Sequence, residues 1–243
     1  MDNVLQIEHL KKSFGSKEVL KDISLTLAKG ENLVVLGKSG TGKSVLIKCI
    51  VKLIEADEGK VMVLDKNIDE LNKNELNLLR KKIGFLFQSA ALYDSMTVRE
   101  NFEFPLRDLR NLTQEEIDAR VIEALVNVGL EDSIDKMPTE LSGGMRKRIG
   151  LARTLILNPE IMLYDEPTTG LDPITSREIS QLILDTQKKR KTSSIIITHD
   201  IQCARITANR VIVLGDGGII AEGTVEELEQ SKDELVHSFF IQK

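Results

Sequence analysis

Gly37-Lys38-Ser39-Gly40-Thr41-Gly42-Lys43-Ser44 fits the pattern G-x-x-x-x-G-K-[ST]. Glycines let a backbone wrap around phosphates, and successive N–H groups opening a helix supply a positive field. In such a loop the lysine, Lys43, reaches the β- and γ-phosphates, and the hydroxyl of Ser44 ligates magnesium. A dinucleotide fingerprint is excluded, because Val45 stands where its third glycine belongs after Gly40-Thr41-Gly42. Further on, the apolar run Ile161-Met162-Leu163-Tyr164 ends in Asp165 and Glu166. A strand of that kind can deliver Asp165 to a magnesium shell and Glu166 to an attacking water, as base or positioning group. Taken alone, it reads equally well as a strand leaving the core. Ser142-Gly143-Gly144 precedes a helix-period segment and offers a second anion cradle, or in isolation a turn with a serine cap. Two cradles with one acid pair suggest a nucleotide held between two copies of the chain.

Positioning these residues calls for an α/β scaffold. Short apolar runs at Asn32–Leu36, Val61–Leu64, Ile83–Phe87, Ile161–Tyr164, Ser194–Thr198 and Val211–Leu214 read as strands of a largely parallel, buried sheet. Helix-period segments lie between them, one from about Gly42 to Ile54. Another opens with the capping-box pair Thr113 and Glu116, buries Ile117, Val121, Leu125 and Val128, and stops at Gly129. The segment after Ser142-Gly143-Gly144 carries Ile149, Leu151, Ala152, Leu155 and Ile156. A further helix starts at Asp172-Pro173 and carries Ile179, Leu182 and Ile183. From about Ser89 to Leu157 no clear strand appears, which predicts a helical insertion. The run Lys188-Lys189-Arg190-Lys191 suits a solvated helix C-terminus, where cations complement the macrodipole.

The 243 residues are enough for one large domain with a subdomain and a sizeable core. With 41% apolar and 29% charged residues the composition is that of an ordinary globular protein. A net charge of -5 argues against a protein that coats nucleic acid. Cys49 and Cys203 sit in apolar segments without metal-binding spacing, which predicts free thiols in a reducing compartment. Met1-Asp2-Asn3-Val4 opens no basic-then-apolar leader, and no apolar run is long enough to span a membrane, so neither a secretory signal nor a transmembrane helix is expected.

Together these residues resemble the ATP-binding cassette (ABC) ATPases over nearly the whole chain. Gly37 to Ser44 match the Walker A loop, Gln88 the Q-loop, and Ser142, Gly143 and Gly144 the signature. Asp165 and Glu166 match Walker B, Gly170-Leu171-Asp172 the D-loop, and His199 the switch histidine. Phe14 stands where the family's A-loop aromatic stacks on adenine. The resemblance implies a P-loop NTPase fold: a RecA-like core with a mostly parallel sheet (about 1–88 and 158–243), an antiparallel β subdomain, and an inserted helical subdomain (about 89–157). It implies ATP and Mg2+ as ligands, with ATP held by Phe14, Gly37, Lys38, Ser39, Gly40, Thr41, Gly42, Lys43, Ser44 and Val45 and by the signature of a second copy. It implies metal ligation by Ser44, Gln88 and Asp165, and catalysis by Glu166, His199 and Gln88.

One departure stands out: Met145 replaces the usual signature glutamine, and a thioether donates no hydrogen bond. Met145, the following Arg146-Lys147-Arg148, the segment Phe87–Leu92 and Asp172-Pro173-Ile174-Thr175 are similar to one branch, the Mla/Mce-type ATPases that power phospholipid movement between membranes of diderm bacteria. The resemblance then implies a cytoplasmic subunit, peripheral on the inner membrane, docked on a transmembrane permease near Gln88 to Phe104, with small regulatory and periplasmic lipid-binding subunits as further partners and no nucleic acid. An importer of amino acids or other small solutes, and an ABC ATPase that signals within a membrane complex, are the alternatives. Leu92, Tyr93, Met96, Phe102 and Phe104 suit either a helix-binding groove or the subdomain core. Leu235, Val236, Phe239 and Phe240 suit a turn packed on the partner or folded back on its own domain. Asp65–Asp69 begins like a calcium loop but lacks its glycine and glutamate, and Asn111-Leu112-Thr113 forms a glycosylation sequon irrelevant to a cytosolic chain.

Overall fold

The computed structural model describes residues 2–107, 109 and 112–240; Asn111 of the sequon lies outside them. In chain order the elements are β1 (Asn3–Phe14), β2 (Lys17–Ala28), β3 (Asn32–Leu36), α1 (Lys43–Ile50), β4 (Glu58–Val63), β5 (Lys66–Asn67), α2 (Lys73–Arg80) and β6 (Ile83–Leu86). There follow α3 (Val98–Leu106), α4 (Gln114–Val126), two 3₁₀ turns (Glu131–Ser133 and Pro138–Glu140) and α5 (Gly143–Leu155). The chain ends in β7 (Ile161–Asp165), α6 (Pro173–Arg190), β8 (Ser193–Thr198), α7 (Ile201–Thr207), β9 (Arg210–Gly215), β10 (Gly218–Gly223), α8 (Val225–Glu229) and α9 (Glu234–Phe240).

All ten strands join one sheet in the order β5-β4-β1-β2-β10-β9-β3-β8-β7-β6. From β9 to β6 every neighbouring pair is parallel. β3, β8 and β9 carry continuous Val, Ile and Leu runs and β7 is buried throughout, which is what burial on both faces demands. The other end is antiparallel: β1 pairs with β2 and β4, and β4 with β5. The α/β architecture with a parallel core and an antiparallel region is thus present. Of Val61 to Leu64, expected among the buried parallel strands, Val61 to Val63 belong instead to antiparallel β4, with Val61 and Val63 buried and Met62 only half-buried, and Leu64 turns out of the strand at φ 48°. β1, β2, β5 and β10 lay outside the expected strand set. In β1 and β2 the register shifts repeatedly, so their apolar residues do not keep a clean period of two.

Alternate residues of β3 face opposite cores. Leu33 and Val35 join α1 (Leu46, Ile47, Ile50) and the antiparallel strands. Val34 and Leu36 join α6 (Ile179, Ile183), α7 and α9. A third core, around Val98, Phe102, Val121, Leu125 and Ile149, is made by α3, α4 and α5. Within α5, Leu151 and Leu155 pack in the second core while Ile149 and Ala152 pack in the third. Local signals behave as expected. Thr113 and Glu116 form the capping box of α4, and Asp172 caps α6 ahead of Pro173.

The basic run closes α6, with Lys189 donating to Asn127 Oδ1 (3.1 Å) and Arg190 to Leu155 O (3.1 Å). Val236 and Phe240 of α9 fold back into the second core, while Leu235 stays exposed. Phe102 is fully buried, whereas Tyr93 and Phe104 are exposed with ring centroids 4.9 Å apart. Cys49 and Cys203 are buried free thiols, their pKa values pushed up by burial to about 11 and about 12. Among the described residues, no helix is long and apolar enough to cross a membrane.

Candidate active site

At the end of β3 the chain turns through Gly37–Gly42 into α1, with Gly42 in the left-handed region at φ 98°. Helices α2 to α8 each carry a side-chain cap, but α1 carries none. An uncapped start leaves the first N–H groups of the helix for an anion. Lys43 is buried, and its Nζ donates to the carbonyls of Gly37 (2.7 Å) and Lys38 (3.0 Å). Desolvation lowers its pKa, with Glu166 and then Asp165 opposing. Its ammonium lies 3.7 Å from Glu166 Oε1.

Ser44 Oγ donates to Asp165 Oδ1 at 2.8 Å, across 121 residues of sequence. A hydroxyl and a carboxylate converging beside a phosphate loop are the hard oxygen donors that Mg2+ takes, so the residues present fit that ion. Asp165 ends β7, and the chain then bends sharply: Glu166 has φ 51° and donates its N–H to Ile197 O (2.9 Å). Glu166 Oε2 accepts from Thr169 Oγ1 (3.0 Å) and lies 2.8 Å from His199 Nδ1, whose ring stands at the end of β8.

Lys43, Ser44, Glu166, Thr169 and His199 line a cleft of about 760 Å³, large enough for a nucleotide, and Asp165 lies behind Ser44. Gly37, Lys38, Ser39, Gly40, Gly42, Lys43, Ser44 and Val45 form one wall, and Gln88, Glu166 and His199 face it. Phe14 is not part of that wall. It stands half-exposed at the end of β1, with the Lys12 ammonium 5.4 Å from its ring centroid. Ser142, Gly143 and Gly144 also lie outside the cleft of their own chain. Ser142 caps α5, and Gly143 lines a neighbouring cleft with Gln88 and Gly170. Met145 packs half-buried against the third core, an apolar setting that suits a thioether.

Several contributors went unread in the sequence. Thr169 holds Glu166, Thr168 Oγ1 donates to Asp200 Oδ2 (2.9 Å), and Val19, Ser238 and Phe239 line the cleft. Only Thr169 carried a local signal, three residues beyond the acid it steadies. Lys147 Nζ donates to the carbonyls of Gln88 and Glu166, contacts that no spacing announces.

The ABC transporter family matches residues 20–169. The chain is 40% identical over 235 residues to a probable ribonucleotide transport ATP-binding protein of Mycobacterium bovis, covering 97% of this chain and 66% of that protein, just under two thirds of its length. It is 37% identical over 225 residues to a methionine import ATP-binding protein of Clostridioides difficile, covering 93% and 70%. It is also 37% identical over 254 residues to the chloroplastic Arabidopsis thaliana protein trigalactosyldiacylglycerol 3, covering 98% and 73%. Among solved structures, a dimeric post-hydrolysis state of the ATP-binding cassette MJ0796 with ADP and Pi superposes with a TM-score of 0.83 at 34% identity, covering 91% of this chain and 98% of that one. By the family match and by these relatives, the chain belongs to the ABC transporter family and forms an ATP-binding domain of it.

Proposed function

We propose that this chain is the ATPase subunit of an ABC transporter, working as a dimer on the cytoplasmic face of the inner membrane and driving phospholipid through a separate permease. The observation that carries the ATPase reading is the convergence of Lys43, Ser44, Glu166 and His199 on one cleft at the head of an uncapped helix, with Asp165 bonded to Ser44 just behind it. Phosphates lie along Gly37–Val45, and Lys43 exchanges its carbonyl partners for phosphate oxygens. Ser44 and Asp165, with Gln88, would hold Mg2+, which would supply charge neutralisation to the phosphates. Glu166 takes the proton of the attacking water at Oε1, the oxygen that Thr169 and His199 leave open, and His199 orients the carboxylate through Oε2. Phe14, half-exposed and outside the cleft wall, takes the adenine ring by the family resemblance alone. The signature Ser142–Gly144 closes over the nucleotide of the second copy, with residues 89–157 acting as the helical subdomain.

Two observations favour phospholipid as cargo: the Met145 branch of the signature, and a relative that bears a galactolipid name. The methionine-import relative, equally similar, favours a small-solute importer as the second reading. Gentle solubilisation of tagged protein, followed by mass spectrometry of what co-purifies, decides between them. A permease with a lipid-binding periplasmic partner and bound phospholipid supports the first. A permease with a solute-binding protein supports the second, and a signalling or division protein would overturn both cargo readings.

A further inference from the structure

Helix α5 starts at the signature, and one of its faces grips the segment after β6. Lys147, Gly150 and Arg153, spaced three apart, share that face. Lys147 Nζ donates to Gln88 O and, at 3.2 Å, to Glu166 O. Gly150 allows close approach: a Cβ there would stand 2.9 Å from Ala90 Cβ and 3.1 Å from Ala90 O. Arg153 donates to the carbonyls of Ala90 (3.2 Å) and Ala91 (2.9 Å). Ala90 and Ala91 have φ of 62° and 47°, a backbone shape that non-glycine residues rarely hold without support.

Lys147 is only 5% exposed. A buried ammonium is costly unless hydrogen-bonded, and an apolar side chain of similar length would fill the space at less cost. None of the ion pairs among the described residues includes Lys147; its hydrogen-bond partners are backbone carbonyls. Both carbonyls belong to residues of the cleft, and Glu166 shares the left-handed backbone shape of Ala90 and Ala91. The charge is therefore placed to hold two main-chain segments that approach the cleft from different elements, one after β6 and one after β7.

We propose that Lys147 is a positioning residue for ATP hydrolysis: its ammonium ties Gln88 and Glu166 to α5, so that engagement of the partner's nucleotide by Ser142–Gly144 sets the Gln88 amide and the Glu166 carboxylate of the same chain. The inference rests on Glu166 as the base. Lys147 does not line the cleft and acts through the two carbonyls.

The test compares Lys147→Met, which keeps the length and loses the donors, with Lys147→Arg, which keeps charge and donors. Turnover of MgATP by the full chain is measured, together with melting temperature. Lys147→Met is expected to lower kcat about tenfold or more with KM within about threefold, and Lys147→Arg to recover a larger share of the rate. Gly150→Ala, which presses on Ala90 from the same face without touching the charge, is expected to lower kcat with KM unchanged. Wild-type kcat in Lys147→Met, or a loss shared by kcat, KM and melting temperature that arginine does not relieve, would overturn the proposal. So would full turnover in Gly150→Ala. Glu166→Gln is run alongside. If it is inactive while Lys147→Met is fully active, only the Lys147 role falls; if Glu166→Gln turns over normally, the base assignment falls with it.

Discussion

His199 Nδ1 and Glu166 Oε2 stand 2.8 Å apart, joining an exposed imidazole to a buried carboxylate. The pair acts as one unit, so its removal should not be additive. Glu166→Gln should lose at least about a hundredfold in turnover while still binding ATP, as expected when a preorganised catalytic group is lost. His199→Ala should lose less, and the double variant no more than Glu166→Gln alone. A double variant much slower than Glu166→Gln would separate the two residues.

Lys43 sits on carbonyls that phosphate oxygens can replace. Wild-type protein at a hundredfold excess of ATP over Kd should gain about 2.7 kcal/mol in stability, seen as a raised Tm. Lys43→Ala should show no such rise. An unchanged ATP-induced shift would contradict the phosphate-loop reading.

Phe102 and Phe104 lie two residues apart on α3 yet meet opposite environments. Phe102→Ala should cost about 3–5 kcal/mol in denaturant unfolding, as truncation of a fully buried aromatic does. Phe104→Ala should change stability by at most about 0.5 kcal/mol but reduce the amount of permease that co-purifies. Equal co-purification would place the docking surface elsewhere.

Asp172 caps α6, and the Thr175 hydroxyl is the largest cause of a carboxyl pKa below the ordinary 3.8. A depressed folded value means the contribution is present above the unfolded pKa and is lost as pH falls through the folded one. Asp172→Ala should therefore melt earlier than wild type at pH 7, with the gap closing as the pH drops below 3.8. A gap that is constant with pH would show that the carboxylate charge is not what caps the helix.

Much of the site was legible because its signals are local. The loop from Gly37 to Ser44, the acids closing the run at Tyr164, and the caps at Thr113 and Asp172 all lie within a few residues of what they act on. The hairpin of β1 and β2 was not, since register shifts scatter Leu5, Ile7 and Leu10 off a simple alternation. Lys147 read as one member of a basic run because its partners lie 59 and 19 residues away. Phe239 reaches the cleft for a similar reason: α9 is placed by tertiary packing of Val236 and Phe240 rather than by its sequence neighbours.

β6 and β7 lie side by side, Ile83 against Ile161, although the whole of α3, α4 and α5 intervenes between them. Zipping that pair from an unfolded chain means closing a long loop, whose entropy must be met before the ladder rewards it. A helical segment that collapses first, around its own Phe102-centred core, shortens the distance to be searched. Refolding should then show α3–α5 protected from hydrogen exchange before the β6 edge, making the sheet's last strand a late event in assembly.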